Sequence, residues 1–404
     1  MDHLGEWVLA ILYLLLGPGA WALYWFGMII GRARMRIRPD PLPTLDRCPR
    51  ASVIIPCKDE AAHISTCVAS VLAQDWPALE LIVINDRSTD RTGEVLDRIA
   101  AQDARVRIIH VPPDGLPPGW WGKTHAMHLG SKVATGEWMV FIDSDCVLAP
   151  PAVRTGITTG IVREFDLVSF TPKFVSTSFW DQMITPLGGV ATSAMYQLMF
   201  ANSAMVPKVA FACGQYMAVR RDVFNEVGGW EAIHHLPADD VEIARLFKRS
   251  GKRPRIGWGM DLVTTTMYAD FRGVWRGWSR NFIAAARGGC GRVLWAAAFL
   301  LFCVWSIYPA VAWGIYRQNH PINAFGGIGW LVSAGAHAVL MTAGLWSAYR
   351  WGGNNPLYAL LWPFSTVVLL AIFCRSVYMS LTGRMDWRGV SYTLPSAAAK
   401  ASNS

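Results

Sequence analysis

Two kinds of apolar pattern occur along this chain of 404 residues. Between about residues 50 and 150, short runs rich in β-branched residues alternate with stretches whose apolar residues repeat at helical spacing. The strand-like runs are ASVIIP, ELIVIN, VRIIHV and WMVFID, and the first helix-like stretches are AAHISTCVASVLAQ and STDRTGEVLDRIAAQ. This alternation predicts a mostly parallel sheet with helices on both faces, a sheet type that binds ligands at the carboxyl ends of its strands.

Four longer apolar segments predict membrane-spanning helices. They are residues 7–30, 293–316, 325–349 and 356–381. Each is long enough to cross about 30 Å of hydrocarbon and contains almost no charge. We interpret the first as a retained anchor, because its apolar stretch is too long for a signal peptide and GRARMRIRPD follows it where a cleavage site would lie.

The pattern divides the chain into three parts. Residues 1–49 form an N-terminal transmembrane anchor with a basic linker, residues 50–285 a soluble domain, and residues 286–404 a membrane domain with about three hydrophobic segments and a short tail. Residues 183–205 are also apolar but contain Pro, Gly, Gln and Asn. A crossing there would put Asp143 and Asp240 on opposite sides of the membrane, and a single site could then not contain both. We therefore expect an interfacial or acceptor-binding segment.

Charge places the soluble domain in the cytosol. Asp2 and Glu6 precede the first segment, whereas four arginines follow it, namely Arg32, Arg34, Arg36 and Arg38. The positive-inside rule therefore puts residues 50–285 on the cytosolic side. The net charge of +8 is concentrated at such membrane edges, where it would meet anionic headgroups, and this makes nucleic-acid binding the weaker interpretation.

Composition agrees with a membrane protein, since 52% of the residues are hydrophobic, 16% are charged and the mean hydropathy is +0.26. The eight cysteines show no paired CxxC spacing, so neither a zinc site nor a disulfide framework is expected. Arg384 and Arg388 follow the fourth apolar segment, which conflicts with an outside tail after four crossings. We therefore expect that segment to be re-entrant, with three full crossings and a cytoplasmic tail.

Acidic residues follow the predicted strands. Asp59 and Glu60 follow the first strand, Asp86 the second, and Asp143 with Asp145 the fourth. The carboxyl ends of parallel strands meet at one edge, so these acids should converge on one cleft. Any one of them alone is better explained by a turn or a helix cap, and their joint placement at successive strand ends favours a site. Two carboxylates separated by one residue share a face of a strand, which indicates a site for a hard cation.

Six segments in order resemble an inverting family 2 glycosyltransferase with the GT-A fold. They are SVIIPCKDEAAHI, LIVINDRSTDRT, GWWGKTHAMHLG, FIDSDC, CGQYMAVRRDVFNEVGGW and ADDVEIARLFKRSG. The likeness covers roughly residues 50–285, and the flanking spans resemble the membrane-integral, lipid-modifying branch, which includes ceramide glucosyltransferases and hopanoid- and carotenoid-associated bacterial enzymes. The resemblance implies an α/β GT-A domain with a mostly parallel, Rossmann-like sheet and transmembrane helices. It also implies transfer of a hexose from a UDP-sugar to a lipid acceptor at the cytosolic face of the bacterial inner membrane.

The resemblance assigns the donor side of the site. Pro56, Glu60 and Asp86 match positions that hold the uridine part of the donor, where a carboxylate can accept hydrogen bonds from a base N–H or a ribose hydroxyl. Lys123 matches a lysine whose charge suits the diphosphate.

By the same resemblance, Asp143 and Asp145 hold a divalent cation, Mg²⁺ or Mn²⁺, against the diphosphate. Asp240 matches the general base that deprotonates the acceptor, with Asp239 as its neighbour. Asp239 stands where the family has glutamate, which leaves the role of this first acid open. Capping of the following helix by either acid is the alternative interpretation.

On the acceptor side, Gly214 and Gln215 match a loop that lines the sugar, and Trp230 belongs to a Gly-Gly-aromatic turn. A tryptophan there could stack on a sugar face, and packing in the core is an open alternative.

Arg280 matches the arginine of the Gln-x-x-Arg-Trp motif found in processive members, where it could contact a phosphate. Gly277 and Asn281 stand in the glutamine and tryptophan positions. This departure argues against a processive polysaccharide synthase. A catalytically silent membrane partner or lipid translocation protein is a further alternative, which the presence of the acids at the predicted strand ends disfavours.

Overall fold

The computed structural model describes residues 3–37, 42–285, 290–320, 325–387 and 390–393. In chain order, the strands that precede the membrane domain are β1 (Ala51–Cys57), β2 (Leu79–Asp86), β3 (Val106–Val111), β4 (Trp138–Phe141), β5 (Cys146–Leu148), β6 (Leu167–Thr171), β7 (Lys173–Phe174), β8 (Met217–Arg220), β9 (Pro254–Trp258) and β10 (Val263–Thr265). The four predicted strands are β1 to β4, and the expected α/β fold class is confirmed.

The helices follow the same chain order. They are α1 (His3–Leu14), α2 (Ala20–Met35), α3 (Ile64–Leu72), α4 (Thr92–Ala100), α5 (Gly122–Val133), α6 (Ala152–Arg163), α7 (Phe179–Met195), α8 (Arg221–Glu226), α9 (Asp239–Arg249), α10 (Phe271–Ala285), α11 (Gly291–Leu300), α12 (Ile307–Asn319), α13 (Gly326–Trp351) and α14 (Trp362–Thr382). A π-helical turn, Leu15–Gly19, joins α1 to α2, and a second, Leu301–Trp305, lies between α11 and α12. A hairpin of β11 (Arg384–Trp387) and β12 (Val390–Thr393) follows α14.

Seven strands form one mixed sheet in the order β3-β2-β1-β4-β8-β6-β9, and β5, β10 and β7 form a smaller second sheet. Strand β1 is buried at every residue, because a central parallel strand is covered by helices on both faces. Val53 and Ile55 pack in the core that includes residues of α3, α4 and α6, and Ile54 packs in the opposite core with residues of α5 and α9.

Strand β8 runs antiparallel to both neighbours, β4 and β6. Its first residue, Met217, pairs with Phe141, the last residue of β4. The loop that precedes β8 therefore lies at the same edge of the sheet as the carboxyl ends of the parallel strands.

Among the described residues, four helical runs are long and apolar enough to cross a membrane, as predicted. They are Leu4–Gly31, Gly291–Asn319, Gly326–Trp351 and Pro356–Thr382. The expectation that the fourth segment is re-entrant is wrong: it is one continuous run of 27 residues, a 3₁₀ turn leading into α14, with no reversal of direction. Arg38, Arg287 and Arg388 and the C-terminal tail after residue 393, which bear on the predicted membrane orientation, lie outside the described residues.

Helices α7 and α10 lie between the sheet and the apolar helices. Met183 and Leu187 of α7 pack against Trp278 of α10 in a core that also contains residues of α13 and α14. The Tyr349 hydroxyl of α13 donates to the Met183 carbonyl at 2.6 Å. The predicted interfacial segment, residues 183–205, thus begins as a packed helix that joins the two parts of the protein.

Candidate active site

A cavity of about 1060 Å³ opens at the carboxyl ends of β1, β2 and β4. Most of the predicted site residues line it, namely Pro56, Asp86, Lys123, Asp143, Asp145, Gln215, Asp239, Asp240 and Arg280. These residues come from seven different elements and loops, and the sheet brings them together because parallel strands end at one edge.

At the end of β2, Asp86 is held by the residue that follows it. Arg87 donates from Nε to Asp86 Oδ1 at 2.7 Å and from Nη2 to Oδ2 at 2.8 Å. Both side chains are less than a tenth exposed, and both residues line the cavity. The backbone of Arg87 is left-handed, with φ of 55°, which turns its side chain back onto Asp86.

Asp143 and Asp145 lie in the turn between β4 and β5 and not on the strand itself, since β4 ends at Phe141. The turn is closed by the Cys146 N–H donating to the Asp143 carbonyl at 3.2 Å. Burial, then the charges of Asp143 and Glu60, raise the pKa of Asp145 to about 6. The turn therefore places carboxylates close enough to repel one another.

This acidic pair fits a divalent cation. Within the described residues, no group of three or more His, Cys, Asp or Glu side chains is arranged to hold a metal ion without other ligands. A cation bound between two carboxylates and the oxygens of a diphosphate would complete its coordination with the substrate and water, as Mg²⁺ commonly does. It would also offset the repulsion that, after burial, raises the pKa of Asp145.

Lys123 lies at the centre of the acidic residues. Its Nζ is 2.7 Å from Asp143 Oδ1 and 3.3 Å from Asp239 Oδ2. Burial lowers the pKa of Lys123, but the charges of Asp143, Asp239 and Asp240 outweigh burial and leave the pKa well above its ordinary value. Lys123 thus stays charged and lies between Asp143 of the β4–β5 turn and Asp239 of α9.

Asp239 and Asp240 form the first turn of α9. The preceding residue, Ala238, is left-handed with φ of 61°, a strained conformation for a residue other than glycine. Asp240 accepts from the Gly214 N–H at 3.0 Å and from its own neighbour, Val241 N–H, at 2.8 Å. Burial, then the charge of Asp239, raise the pKa of Asp240 to about 7, although Lys123 acts in the opposite direction.

A side chain at Gly214 would displace the ammonium group of Lys123. A Cβ atom there would lie 2.9 Å from Lys123 Nζ and 3.5 Å from an oxygen of both Asp143 and Asp240. At Gly214 the loop before β8 therefore brings a backbone N–H between Asp143 and Asp240.

The far wall of the cavity comes from the apolar helices. Tyr24 and Met28 of α2 and Ala348 and Trp351 of α13 line it, together with several residues of α7 and α10. On this wall the Trp278 Nε1–H donates to the Thr185 hydroxyl at 3.2 Å.

Thr185 in turn donates to Asp181, a fully buried acid of α7 whose pKa is raised by burial. The hydroxyl of Thr185 is therefore fixed in direction on the wall of the cavity that α7 and α10 form.

One predicted position needs correction, and a second lies outside the cavity lining among the described residues. Trp230 is 1% exposed and packs edge-on against Phe141 and Phe224 in the core, so it cannot stack on a sugar. Glu60 is not among the described residues that line the cavity; it is 7% exposed, its carbonyl accepts from the Ile64 N–H at the start of α3, and its charge acts on Asp145. Glu60 therefore lies close enough to act on the acidic pair, and its contact with the nucleoside stays a prediction.

The motif region of α10 has a steric explanation. A Cβ atom at Gly277 would lie 2.3 Å from the ring of Tyr268, so no glutamine fits where processive members have one. Asn281 contacts the same tyrosine, with Nδ2 at 3.5 Å from its hydroxyl, and Arg280 lines the cavity. The packing of α10 against Tyr268 therefore explains why this helix has glycine at the position of the glutamine in the processive motif.

Sequence reasoning missed Arg87, Thr185 and Trp278 as residues of this cavity wall. Arg87 directly follows a predicted site residue, but adjacent side chains seldom pair, and no sequence signal announces a left-handed backbone at an arginine. Thr185 and Trp278 come together only through the crossing of α7 and α10.

The chain is similar to known proteins over part of its length. Residues 52–228 match the family model for Glycosyl transferase family 2. Over 104 residues the chain is 33% identical to the glycosyltransferase GlyG of Streptococcus pneumoniae, a match that covers 26% of this chain and 33% of that protein. Over 254 residues it is 23% identical to the 4,4'-diaponeurosporenoate glycosyltransferase of Staphylococcus aureus, covering 62% of this chain and 65% of that protein. The chain thus spans less than two thirds of the length of either relative.

Among solved structures, the chain is similar to the mannosyltransferase PcManGT from Pyrobaculum calidifontis, which was solved in complex with GDP-Man and Mn²⁺. The TM-score is 0.48 with 18% sequence identity, and the match covers 93% of this chain and 98% of that one.

Proposed function

Because this chain contains a family 2 glycosyltransferase domain at residues 52–228, we propose that the protein transfers a hexose from a UDP-sugar, with inversion, to a lipid acceptor embedded in the membrane. The domain and the glycosyltransferase relatives support a transferase. The UDP-sugar donor, the lipid acceptor and the residue roles are the proposal.

One observation supports the lipid acceptor above all others. A single cavity is lined at one end by the acids of the sheet edge and at the other by α2 and α13, two helices that are apolar enough to cross a membrane. A soluble sugar nucleotide can enter from the sheet edge, and a lipid can reach the same cavity from between the helices. An enzyme for a soluble acceptor would have no need of such a wall.

At the donor end, Pro56 and Asp86 would contact the nucleoside, and Lys123 the diphosphate. Asp143 and Asp145 would hold a divalent cation, Mg²⁺ or Mn²⁺, which when bound neutralises charge on the leaving diphosphate. Lys123 already lies beside Asp143 and adds a second positive charge there.

At the acceptor end, Asp240 would remove the proton from the acceptor hydroxyl as its oxygen attacks the anomeric carbon, while the bond from that carbon to the diphosphate oxygen breaks. The hydrogen bonds that Asp240 accepts from two backbone N–H groups fix the direction of its carboxylate. Its raised pKa, about 7, suits a base that must gain and lose a proton near neutral pH.

The location proposed is the bacterial inner membrane, with the domain facing the cytosol. It is supported by the four apolar helical runs and by arginines on the sheet side of the second run, including Arg276 and Arg280 of α10. Sugar nucleotides are supplied on that side.

The test is a product analysis with the full-length protein in detergent or nanodiscs. Labelled UDP-hexoses are incubated with a total lipid extract, and products are separated by solvent partition and identified by mass spectrometry. We expect one hexose added to a lipid, with none formed by the Asp240→Asn variant. A water-soluble polymer would instead indicate a processive synthase, and absence of UDP release with every donor would indicate a silent partner.

A further inference from the structure

A tyrosine that the proposed mechanism does not use lies near Asp240. Tyr196 directly follows the last residue of α7, and Tyr196 and Asp240 both line the cavity. The tyrosine packs with Val241, the residue after Asp240, and its ring lies 5.0 Å from the ring of Phe211, measured between centroids. Tyr196 therefore lies at the end of the cavity where the acceptor would lose its proton.

The hydroxyl of Tyr196 differs from those of the other buried tyrosines. Among the described residues, four tyrosines are less than a tenth exposed, namely Tyr13, Tyr196, Tyr216 and Tyr349. The hydroxyls of the other three are hydrogen-bonded, at 3.1, 3.0 and 2.6 Å. The Tyr196 hydroxyl has no hydrogen-bond partner in the described part of the chain. Since a buried tyrosine hydroxyl usually has a partner, this one indicates a ligand in the cavity.

The ring of Tyr196 is held in place although its hydroxyl is not. Besides the contacts with Phe211 and Val241, the guanidinium carbon of Arg245 lies over the ring, 5.8 Å from its centroid. Phe211 and Val241 are apolar and also line the cavity. The tyrosine thus offers one polar atom, in a fixed place, beside side chains that suit hydrocarbon.

The hydroxyl can donate a hydrogen bond but does not act as a base. Burial, and then the charge of Asp240, raise the pKa of Tyr196, so its phenol stays protonated at neutral pH. A hydrogen bond donated to the attacking oxygen would lower the nucleophilicity of that oxygen. The expected partner is therefore a different oxygen of the acceptor.

We propose that Tyr196 is an acceptor-binding residue, whose hydroxyl donates a hydrogen bond to a second oxygen of the lipid, near the hydroxyl that reacts, while its ring and Phe211 contact the adjoining hydrocarbon. The acceptor is then a lipid with at least two oxygens close together in its headgroup. This inference rests on the proposed function, because it requires a lipid acceptor in this cavity.

The experiment compares wild type with Tyr196→Phe, which keeps the ring and removes the hydroxyl. Full-length protein in detergent transfers hexose from labelled UDP-hexose to increasing amounts of a total lipid extract. The variant should raise the apparent KM for the extract by about 2- to 10-fold, the range for one neutral hydrogen bond. The value of kcat should stay nearly unchanged, because the bond is present before and during the reaction. UDP affinity, measured by calorimetry, should also be unchanged.

The matched control is Tyr216→Phe. Tyr216 is fully buried, its hydroxyl donates to the Ala152 carbonyl at 3.0 Å, and it is not among the described residues that line the cavity. This control should lower the midpoint of thermal unfolding and leave the KM for the extract unchanged. Tyr196→Phe should do the reverse, because its hydroxyl has no partner in the described part of the chain.

The outcomes separate this inference from the proposed function. If Tyr196→Phe leaves KM unchanged, or lowers kcat alone, the binding role is wrong and the proposed function stands. A glycosylated lipid whose only oxygen is the one that received the hexose, identified by mass spectrometry, would also overturn the role. If wild type transfers hexose to no lipid in the extract from any UDP-hexose, both the proposed function and this role are overturned.

Discussion

Lys123 allows several carboxylates to share one buried cavity. Asp143 and Asp239 lie within 3.3 Å of its ammonium group, and Asp240 contributes to holding its pKa well above the ordinary value. Four acids line this part of the cavity, so the lysine neutralises only part of their charge. Burial, and then this remaining negative charge, raise the pKa values of Asp145 and Asp240, and the charge supports a cation as a further component during donor binding.

The first prediction concerns Asp145. Asp145→Asn removes one charge from the acidic pair, so UDP should lose the part of its affinity that depends on a divalent cation. Calorimetric titration of UDP with and without Mn²⁺ measures this difference. Asp114→Asn, at an exposed loop position, is the matched control and should behave as wild type. Equal Mn²⁺ dependence in the Asp145 variant would contradict the proposed cation site.

The second prediction concerns Asp240 as the base. Asp240→Asn should lower turnover by about 10²–10⁴-fold and leave UDP affinity nearly unchanged, because the base acts on the acceptor. Asp239→Asn is the comparison, and a larger loss in that variant would move the base to Asp239. Unfolding of Asp240→Asn, seen as a lost thermal transition, would support the helix-capping interpretation instead.

The pKa of Asp240 gives a third prediction. A base acts when ionised, and burial with the charge of Asp239 raises this pKa to about 7. Turnover should therefore be constant above about pH 7. Below this pH it should fall by about tenfold for each unit by which the pH is lowered. A profile of turnover against pH, at saturating donor and acceptor, checks this. A plateau that extends below pH 5 would show that a group with an ordinary carboxyl pKa is the base.

At the scale of elements, the contact between α7 and α10 positions the part of the cavity wall that these two helices form. Gly188 of α7 lets the ring of Trp278 come so close that a Cβ atom would be 2.7 Å from it. The same tryptophan donates to Thr185, so a single crossing sets both the packing and the polar group on the cavity wall.

The fourth prediction tests that crossing. Gly188→Val should push α10 away and destabilise the protein by about 1–3 kcal/mol, the usual cost of overpacking. The midpoint of thermal unfolding in detergent measures it. Gly189→Ala is the control on the next residue, where a Cβ meets nothing within 4 Å, and it should not lower the midpoint. Equal midpoints for both variants would mean that the helices separate without cost.

The strands of the sheet were predictable because their apolar runs are continuous, as expected for strands covered on both faces. The convergence of Asp86, Asp143 and Asp240 followed from strand ends and from the family resemblance. The sequence did not show that Asp143 and Asp145 lie in a turn after β4, since a strand boundary depends on where pairing with β1 and β8 stops. Trp230 was misplaced because a tryptophan after two glycines has the same sequence signal whether it packs in a core or faces a ligand.

At the scale of the whole molecule, one buried ion pair joins the first apolar helix to the second. Arg317 donates from Nε and Nη2 to the two oxygens of Glu6, both at 3.0 Å, and Trp330 of α13 approaches the same carboxylate. The two charged side chains are 6% and 1% exposed. Residues 311 positions apart in the chain are therefore fixed together within the membrane helices.

The fifth prediction follows from this burial. Arg317→Met leaves Glu6 buried without its partner and should destabilise the protein by about 3–5 kcal/mol. The double variant Glu6→Leu with Arg317→Met should recover much of that loss, because apolar replacement of a buried pair is often neutral. Thermal unfolding in detergent compares the two. A single variant as stable as wild type would show that the pair contributes little.

The cavity wall formed by α2 and α13 has a consequence for the surrounding lipid. A helix that is longer than the local hydrocarbon thickness accommodates by tilting, at a cost of fractions of a kcal/mol per Å of mismatch. Tilting of α2 would move Tyr24 and Met28, and tilting of α13 would move Trp351, whereas the sheet holds the opposite end of the cavity in place. If the proposed lipid acceptor enters between these helices, acyl-chain length would therefore adjust the width of that entrance without changing nucleotide affinity, and the composition of the bilayer would regulate the rate of transfer.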